Sequence, residues 1–281
     1  MGELFQFDFM RNAFIAGILV SVVSGVVGTL VVVNRLSFLA GGIAHTAYGG
    51  LGLAAFLGWP PMLGTIPFTL TASMVMGHIT RKKHERSDTV VGIMWAMGMA
   101  MGIIFLDLKS GYYVDLMSYL FGSIMAISNQ SLIFMAALNL VIILTVTLLF
   151  KEITGMSYDE EFAEISGVPV RALYYIIITL ITLSVIMLMQ AVGLILVIAL
   201  FTIPVSIAEM FTRQIKHVMF LSSVLGAIFC TLGLVLSYYL DLTAGAAIII
   251  LAGSGYGAGY LIKKAFFKKV DKVATGLPAA K

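Results

Sequence analysis

ALYYIIITLITLSVIMLMQAVGLILVIALFTIPVSIAEMF, residues 172–211, decides what kind of fold this chain adopts. From Ala172 to Ala208 it has no Asp, Glu, Lys, Arg or His. About 20 predominantly apolar residues cross the hydrocarbon of a bilayer. A run of 40 residues is therefore long enough for two crossings, and Gln190 marks the point where they meet. A helix that is apolar all round has to be buried in protein or in lipid. The run reads as the membrane-embedded centre of an all-α protein.

The same signature extends outward in both directions. Apolar segments fit spans at about 10–33, 36–57, 60–80, 89–107, 130–150, 172–190, 192–211, 216–240 and 243–264. They predict a polytopic transmembrane helical bundle of eight to nine spans, taken as one domain over 1–281. Composition agrees: 60% of the residues are hydrophobic and 11% charged, against about 25% charged in soluble chains. Mean hydropathy is +1.04. The stretch 115–127 is too short to cross and is expected to be an interfacial or re-entrant helix. MGELFQFDFMRN, residues 1–12, carries acids before its first base, unlike a signal peptide, so the first span is expected to be retained. The single cysteine, Cys230, lies in an apolar run and reads as core packing.

Lys and Arg mark the cytoplasmic side of a membrane protein. They gather in RKKHERSD (81–88), TRQIKH (212–217) and KKAFFKKVDK (263–272). The alternate loops, around Trp59-Pro60-Pro61, DLKSGYYVD (107–115) and YYLDL (238–242), hold aromatics and few bases. With nine spans, the N-terminus is expected outside; segment 151–171 and the tail 265–281 are expected in the cytoplasm. The small net charge of +3 reflects this asymmetry and argues against a nucleic-acid partner. GMAMG (98–102) and GSGYG (253–257) are both G-x-x-x-G, suited to close helix packing.

Several chemistries are missing. No G-x-x-x-x-G-K-[ST] phosphate loop occurs, and no H-E-x-x-H. The spans hold too few ionisable groups for a proton-relay pump. Uphill movement of a solute would draw its energy from a partner.

KEITGMSYDEEFAEISGVPVRA, residues 151–172, is the longest cytoplasmic segment. Ser157 with Glu160 three residues on forms a capping-box pattern, and Asp159, Glu160 and Glu161 suit a helix N-terminus. Gly167 ends the helix and Pro169 blocks its continuation. A helix of about ten residues results, with Tyr158 and Phe162 four apart on one face. Two readings are open: an ordinary capped surface helix, or a helix laid into a groove of a soluble partner with its aromatics as anchors.

Taken in order, GGIAHTAYGGLGL (41–53), VGIMWAMGMAMGIIF (91–105), SYDEEFAEISGVPV (157–170) and AVGLILVIALFTIP (191–204) resemble the permease subunits of ATP-binding-cassette importers for zinc, manganese and iron. The resemblance implies a homodimeric, multi-pass permease in a prokaryotic cell membrane. It also implies a separate cytoplasmic ATPase bound at 151–171, and an extracytoplasmic protein that delivers the metal. The permease would then be no enzyme and would hold no permanent cofactor, only a divalent metal in transit. The acid and the histidine of the family's first motif are thought to line the metal path. Here His45 is kept and Gly41 stands where the family has Asp. Two other classes of function are open to such a bundle: a stand-alone channel or secondary transporter for a cation or small solute, and an intramembrane enzyme using His45.

Ser37, Gly41, His45 and Gly49 recur every four residues on one helix face, and the glycines are expected to leave room beside the imidazole. Neutral imidazole binds metal; the competing role for His45 is a hydrogen bond to Ser37, Thr46 or Tyr48. Glu209 either pairs with Arg213 four residues on or supplies the carboxylate that position 41 lacks. Gly49, Gly193 and Pro204 read as span-packing positions, with Pro204 able to break its helix. His78, His84 and His217 read as solvated. Met94, Met97 and Met101 form a stripe read as core packing rather than as a soft-metal path.

Overall fold

The computed structural model describes residues 8–82, 87–109, 122, 124 and 127–275. Among these residues, ten helices follow one another: α1 Asp8–Val33, α2 Ser37–Leu57, α3 Pro61–Lys82, α4 Ser87–Asp107, α5 Asn129–Leu148, α6 Phe150–Tyr158, α7 Glu160–Ile165, α8 Val170–Phe211, α9 Ile215–Leu240 and α10 Ala244–Thr275. Among the described residues, seven segments are long and apolar enough to cross a membrane: α1, α3, α4, α5, α8, α9 and 244–265 of α10. The interfacial helix expected at 115–127 falls mostly outside the described residues, as does His84.

Helix α8 is two spans. At one end of it, Tyr174 bonds Thr80, whose neighbour Arg81 pairs with Glu160. Just beyond its other end, the Arg213 carbonyl accepts a bond from Tyr158. Both ends therefore sit beside α6 and α7. Gln190, in the middle, instead bonds Ser131 near the start of α5, the end where Asn12 bonds the Ile127 carbonyl and Asn129. The chain has to double back, and it does so at Gly193, whose φ of 79° and ψ of 166° are the only non-helical angles inside α8. That conformation is open essentially to glycine alone. The turn lies three residues past Gln190, where the sequence puts it. Pro204 is not the break: the helix runs through it to Phe211.

Helix α2 is the other span that hydropathy undercounts. Glycines and His45 dilute its apolarity, yet most of its 21 residues are buried between α3 and α4. Seven segments, plus α2, plus the second half of α8 make the nine spans expected. One end of the bundle collects Arg35, Arg81, Lys151, Arg171, Arg213, Lys216, Lys263 and Lys264; the other holds Arg11 and Lys109. The first end is cytoplasmic by the charge rule, so α6 and α7 lie in the cytoplasm.

Small residues set the packing. Helices α1 and α8 form the centre, and α9 closes on α1 where Gly25 meets the backbone of Ser223. There Ser222 bonds the Gly25 carbonyl at 3.1 Å. Helix α4 lies along α2 in parallel, with Gly98 against Thr46 and Gly102 against the carbonyl of Tyr48. The G-x-x-x-G of 98–102 thus serves packing within the chain. In 253–257, Gly253 and Gly257 face open space.

Candidate metal path and coupling segment

His45 lies near the middle of α2, half-buried, its ring stacked on Trp95 of α4 with centroids 3.9 Å apart and planes 13° from parallel. Trp95 is held in turn by a bond from its Nε1–H to the Met99 sulfur at 3.3 Å. The Nδ1 of His45 is buried and has no hydrogen-bond partner among the described residues. The bonds of the competing reading, to Ser37, Thr46 or Tyr48, do not form; Thr46 instead bonds the Gly42 and Met94 carbonyls. An unsatisfied buried nitrogen costs about 1–3 kcal/mol. It is retained here on an imidazole whose orientation is fixed by stacking.

The glycines do not leave the space the sequence suggests. A Cβ on Gly49 would lie 2.7 Å from the Gly98 carbonyl and 2.8 Å from Phe68, so α3 and α4 already fill that room. Gly41 differs. A Cβ there would meet the Cδ1 of Ile198, in the second half of α8, at 3.1 Å. Position 41 therefore packs against the second half of α8, and His45, one turn on, packs against α4.

Along that side of α8 run Ile195, Ile198, Thr202, Ser206 and Glu209, all half-buried or exposed and on one face by their spacing. The stripe grows more polar toward the cytoplasm. Glu209 lies 11 residues past Ile198, about 16 Å further toward the cytoplasm at 1.5 Å per residue. It cannot replace a carboxylate at position 41 beside His45. Nor does it pair with Arg213; the ion pairs between described residues are Arg11–Asp8 and Arg81–Glu160. Glu209 instead lines a cytoplasmic cavity of about 640 Å³ with Ser206, Tyr256, Tyr260, Lys263 and Lys264. Among the described residues, no three His, Cys, Asp or Glu side chains converge as a metal cage.

The cytoplasmic segment departs from its expected form. Ser157 is not an N-cap: it sits inside α6 and bonds the Ile153 carbonyl at 2.8 Å. Asp159 takes that role. Its backbone is extended, with φ −153° and ψ 101°, and its Oδ1 accepts from the Phe162 N–H at 2.9 Å. Asp and Ser are both good N-caps; Ser157 is already bonded to the turn before it, which leaves Asp159 to meet the orphan N–H. So Tyr158 ends one helix and Phe162 belongs to the next, α7. Gly167, at φ +84°, ends α7 as expected, with Val168 N–H on the Ala163 carbonyl. Tyr158, Phe162 and Ile165 are 66%, 69% and 80% exposed, three large side chains that present their apolar surface outward.

Sequence reasoning missed Trp95, the ring that orients His45, and Arg81, the cation that ties α3 to α7. Met97 and Met101 are exposed on α4, not core as expected; α4 leans on α2 through its glycine face and turns them outward. His78 and His217 are exposed, as read, though His78 bonds Tyr175 at 3.1 Å.

A nine-span bundle with a hairpin inside its longest helix, a half-buried imidazole stacked inside a span and an exposed two-helix cytoplasmic segment define a polytopic membrane permease. The chain belongs to the ABC 3 transport family, whose model matches residues 6–259. An uncharacterized membrane protein of Synechocystis is 44% identical, over 95% of this chain and 93% of that one. The manganese import system permease protein ScaB of Streptococcus parasanguinis is 32% identical over 87% of each chain. Among solved structures, PsaBC from Streptococcus pneumoniae in complex with Fab superposes with a TM-score of 0.83, at 32% identity and 92% coverage of each chain.

Proposed function

We propose that this protein is the membrane-spanning permease subunit of an importer that moves a divalent transition metal inward, driven by a separate cytoplasmic ATPase. Manganese is the first choice, because relatives such as ScaB carry that metal in their names; imidazole is also a good ligand for zinc and iron, which stay as the alternatives. One observation carries the reading: the exposed apolar triad Tyr158, Phe162 and Ile165 on a segment tied firmly to the transmembrane helices.

Two ties transmit movement. Arg81 at the end of α3 pairs with Glu160 of α7 at 3.0 Å and rests over the Tyr174 ring at 5.0 Å. Tyr158 bonds the Arg213 carbonyl in the turn between α8 and α9. A partner that displaces α6 and α7 pulls at once on α3 and on the cytoplasmic end of the Ile195–Glu209 stripe. That stripe includes Ile198, which faces Gly41 one turn from His45, and this links an ATPase cycle to opening of the path. His45 binds the metal briefly through a neutral nitrogen, and Glu209 is a later station at the cytoplasmic mouth. With one imidazole per chain in the proposed path, the rest of the coordination comes from water or from a second copy of the chain across the exposed face of α4. An extracytoplasmic binding protein delivers the metal to the opposite end.

The test is pull-down of the cognate ATPase by the full-length permease. Tyr158→Ala with Phe162→Ala removes about 2–4 kcal/mol of anchoring if the pair forms hot spots. The complex should weaken by roughly 30- to 1,000-fold while the protein stays in the membrane. Unchanged assembly would refute the coupling role. Metal uptake by vesicles lacking any ATPase would instead identify a stand-alone channel or secondary transporter.

A further inference from the structure

Helix α5 is held loosely. Of its 20 residues only Met135, Asn139, Ile142 and Val146 are buried. Between it and α9 runs an open groove of about 770 Å³, floored by Val22 and Val26 of α1. Its walls are Ile143 and Val146 on one side and Phe220 and Val224 on the other. Two hydroxyls border it, and both are satisfied within their own helices: Thr147 on the Ile143 carbonyl at 2.7 Å and Ser223 on the Met219 carbonyl at 2.8 Å. The groove thus offers only apolar surface along its length. Its character changes at the cytoplasmic end, where Lys216 reaches its rim. Exposed Lys151 follows Phe150, which lines that same end. Neither lysine is ion-paired with a described residue.

We infer that this groove is a binding site for one anionic phospholipid of the cytoplasmic leaflet. An acyl chain lies between α5 and α9, and the phosphate sits at Lys216. The chemistry selects this occupant: a long apolar body with a single negative end at the depth of the headgroups. A zwitterionic lipid carries its own cation beside the phosphate and gains less from Lys216. Neither His45 nor Glu209 lines the groove, so the site is separate from the proposed metal path. By filling the gap beside α5, the lipid braces the helix that leads directly into α6 and α7.

The test uses the full-length protein in vesicles of brominated lipid, with Val224→Trp as a reporter inside the groove and the parent protein as background. Brominated phosphatidylglycerol should quench the new tryptophan with about fivefold higher apparent affinity than brominated phosphatidylcholine, the preference one interfacial lysine supports. Adding Lys216→Gln should bring the two lipids level, and inorganic phosphate should leave the quenching unchanged. Equal quenching before the lysine is changed would mean bulk lipid only and overturn the site. Quenching by neither lipid would mean that protein, such as a second copy, covers the groove, and would overturn it too. Should the reporter variant fail to insert, native mass spectrometry decides. The parent protein should retain an anionic lipid that Lys216→Gln loses, and equal retention would refute the assignment.

Discussion

The contact between α2 and α4 should be intolerant of a single methyl group. A Cβ on Gly52 would lie 2.6 Å from the Cα of Gly102, where ordinary contact begins near 3.4 Å. The obstacle is backbone and cannot swing aside, so the two helices would have to part by nearly 1 Å. Overpacking of this kind costs about 1–3 kcal/mol. Gly253 is the matched control, because nothing lies within 4 Å of the same added atom. There, Gly→Ala should stabilise by about 0.5–1 kcal/mol through helix propensity alone. The two variants should differ by roughly 2–4 kcal/mol in reversible unfolding, measured by steric trapping in bicelles. Parting α2 from α4 also lifts His45 off Trp95, so Gly52→Ala should lose transport as well. Equal stability of Gly52→Ala and Gly253→Ala would refute the packing assigned to the whole α2–α4 pair.

Three further outcomes follow from particular residues. Asp159→Ala should cost about 1 kcal/mol of local stability as a lost N-cap, seen as faster amide exchange in α7, whereas Ser157→Ala should leave that exchange unchanged. Gly193→Ala forces a side chain into a conformation that costs about 1–3 kcal/mol, and should lower thermal stability and expose the α8 turn to proteolysis. Glu209→Gln should slow metal uptake without reducing the amount of protein in the membrane, as checked by immunoblot beside a radiometal assay.

Much of the fold was legible because the membrane simplifies the code. Where a span must be apolar on every side, length and loop charge suffice, and they located the spans from α1 to α10. The position of the turn in α8 was within three residues of the true one, since Gln190 and Gly193 both interrupt an otherwise unbroken run. The site was less legible, because what fills the space beside a glycine belongs to another helix. Gly41 and Gly49 look alike in sequence, yet one meets only the end of the Ile198 side chain and the other is sealed by Phe68 and the Gly98 backbone. The stacking of His45 on Trp95 joins residues 50 positions apart, and no local pattern encodes it. The capping error at Ser157 has a similar cause: two helix starts were available within three residues, and the contacts of Tyr158 and Arg81 with distant helices favoured the later one.

The central claim is that His45 acts through a nitrogen and not only through its ring. Phenylalanine at position 45 preserves an aromatic face for Trp95 at 3.9 Å and deletes both nitrogens. The decisive measurement is radioactive manganese uptake by proteoliposomes holding the permease, its ATPase and its binding protein, with His45→Phe compared against the parent at matched protein levels. Uptake should fall to the level of vesicles without ATP, while unfolding stability stays within about 1 kcal/mol of the parent, as expected of an aromatic exchange of similar volume. Uptake at the parental rate by His45→Phe would contradict the account and reduce His45 to a packing partner of Trp95.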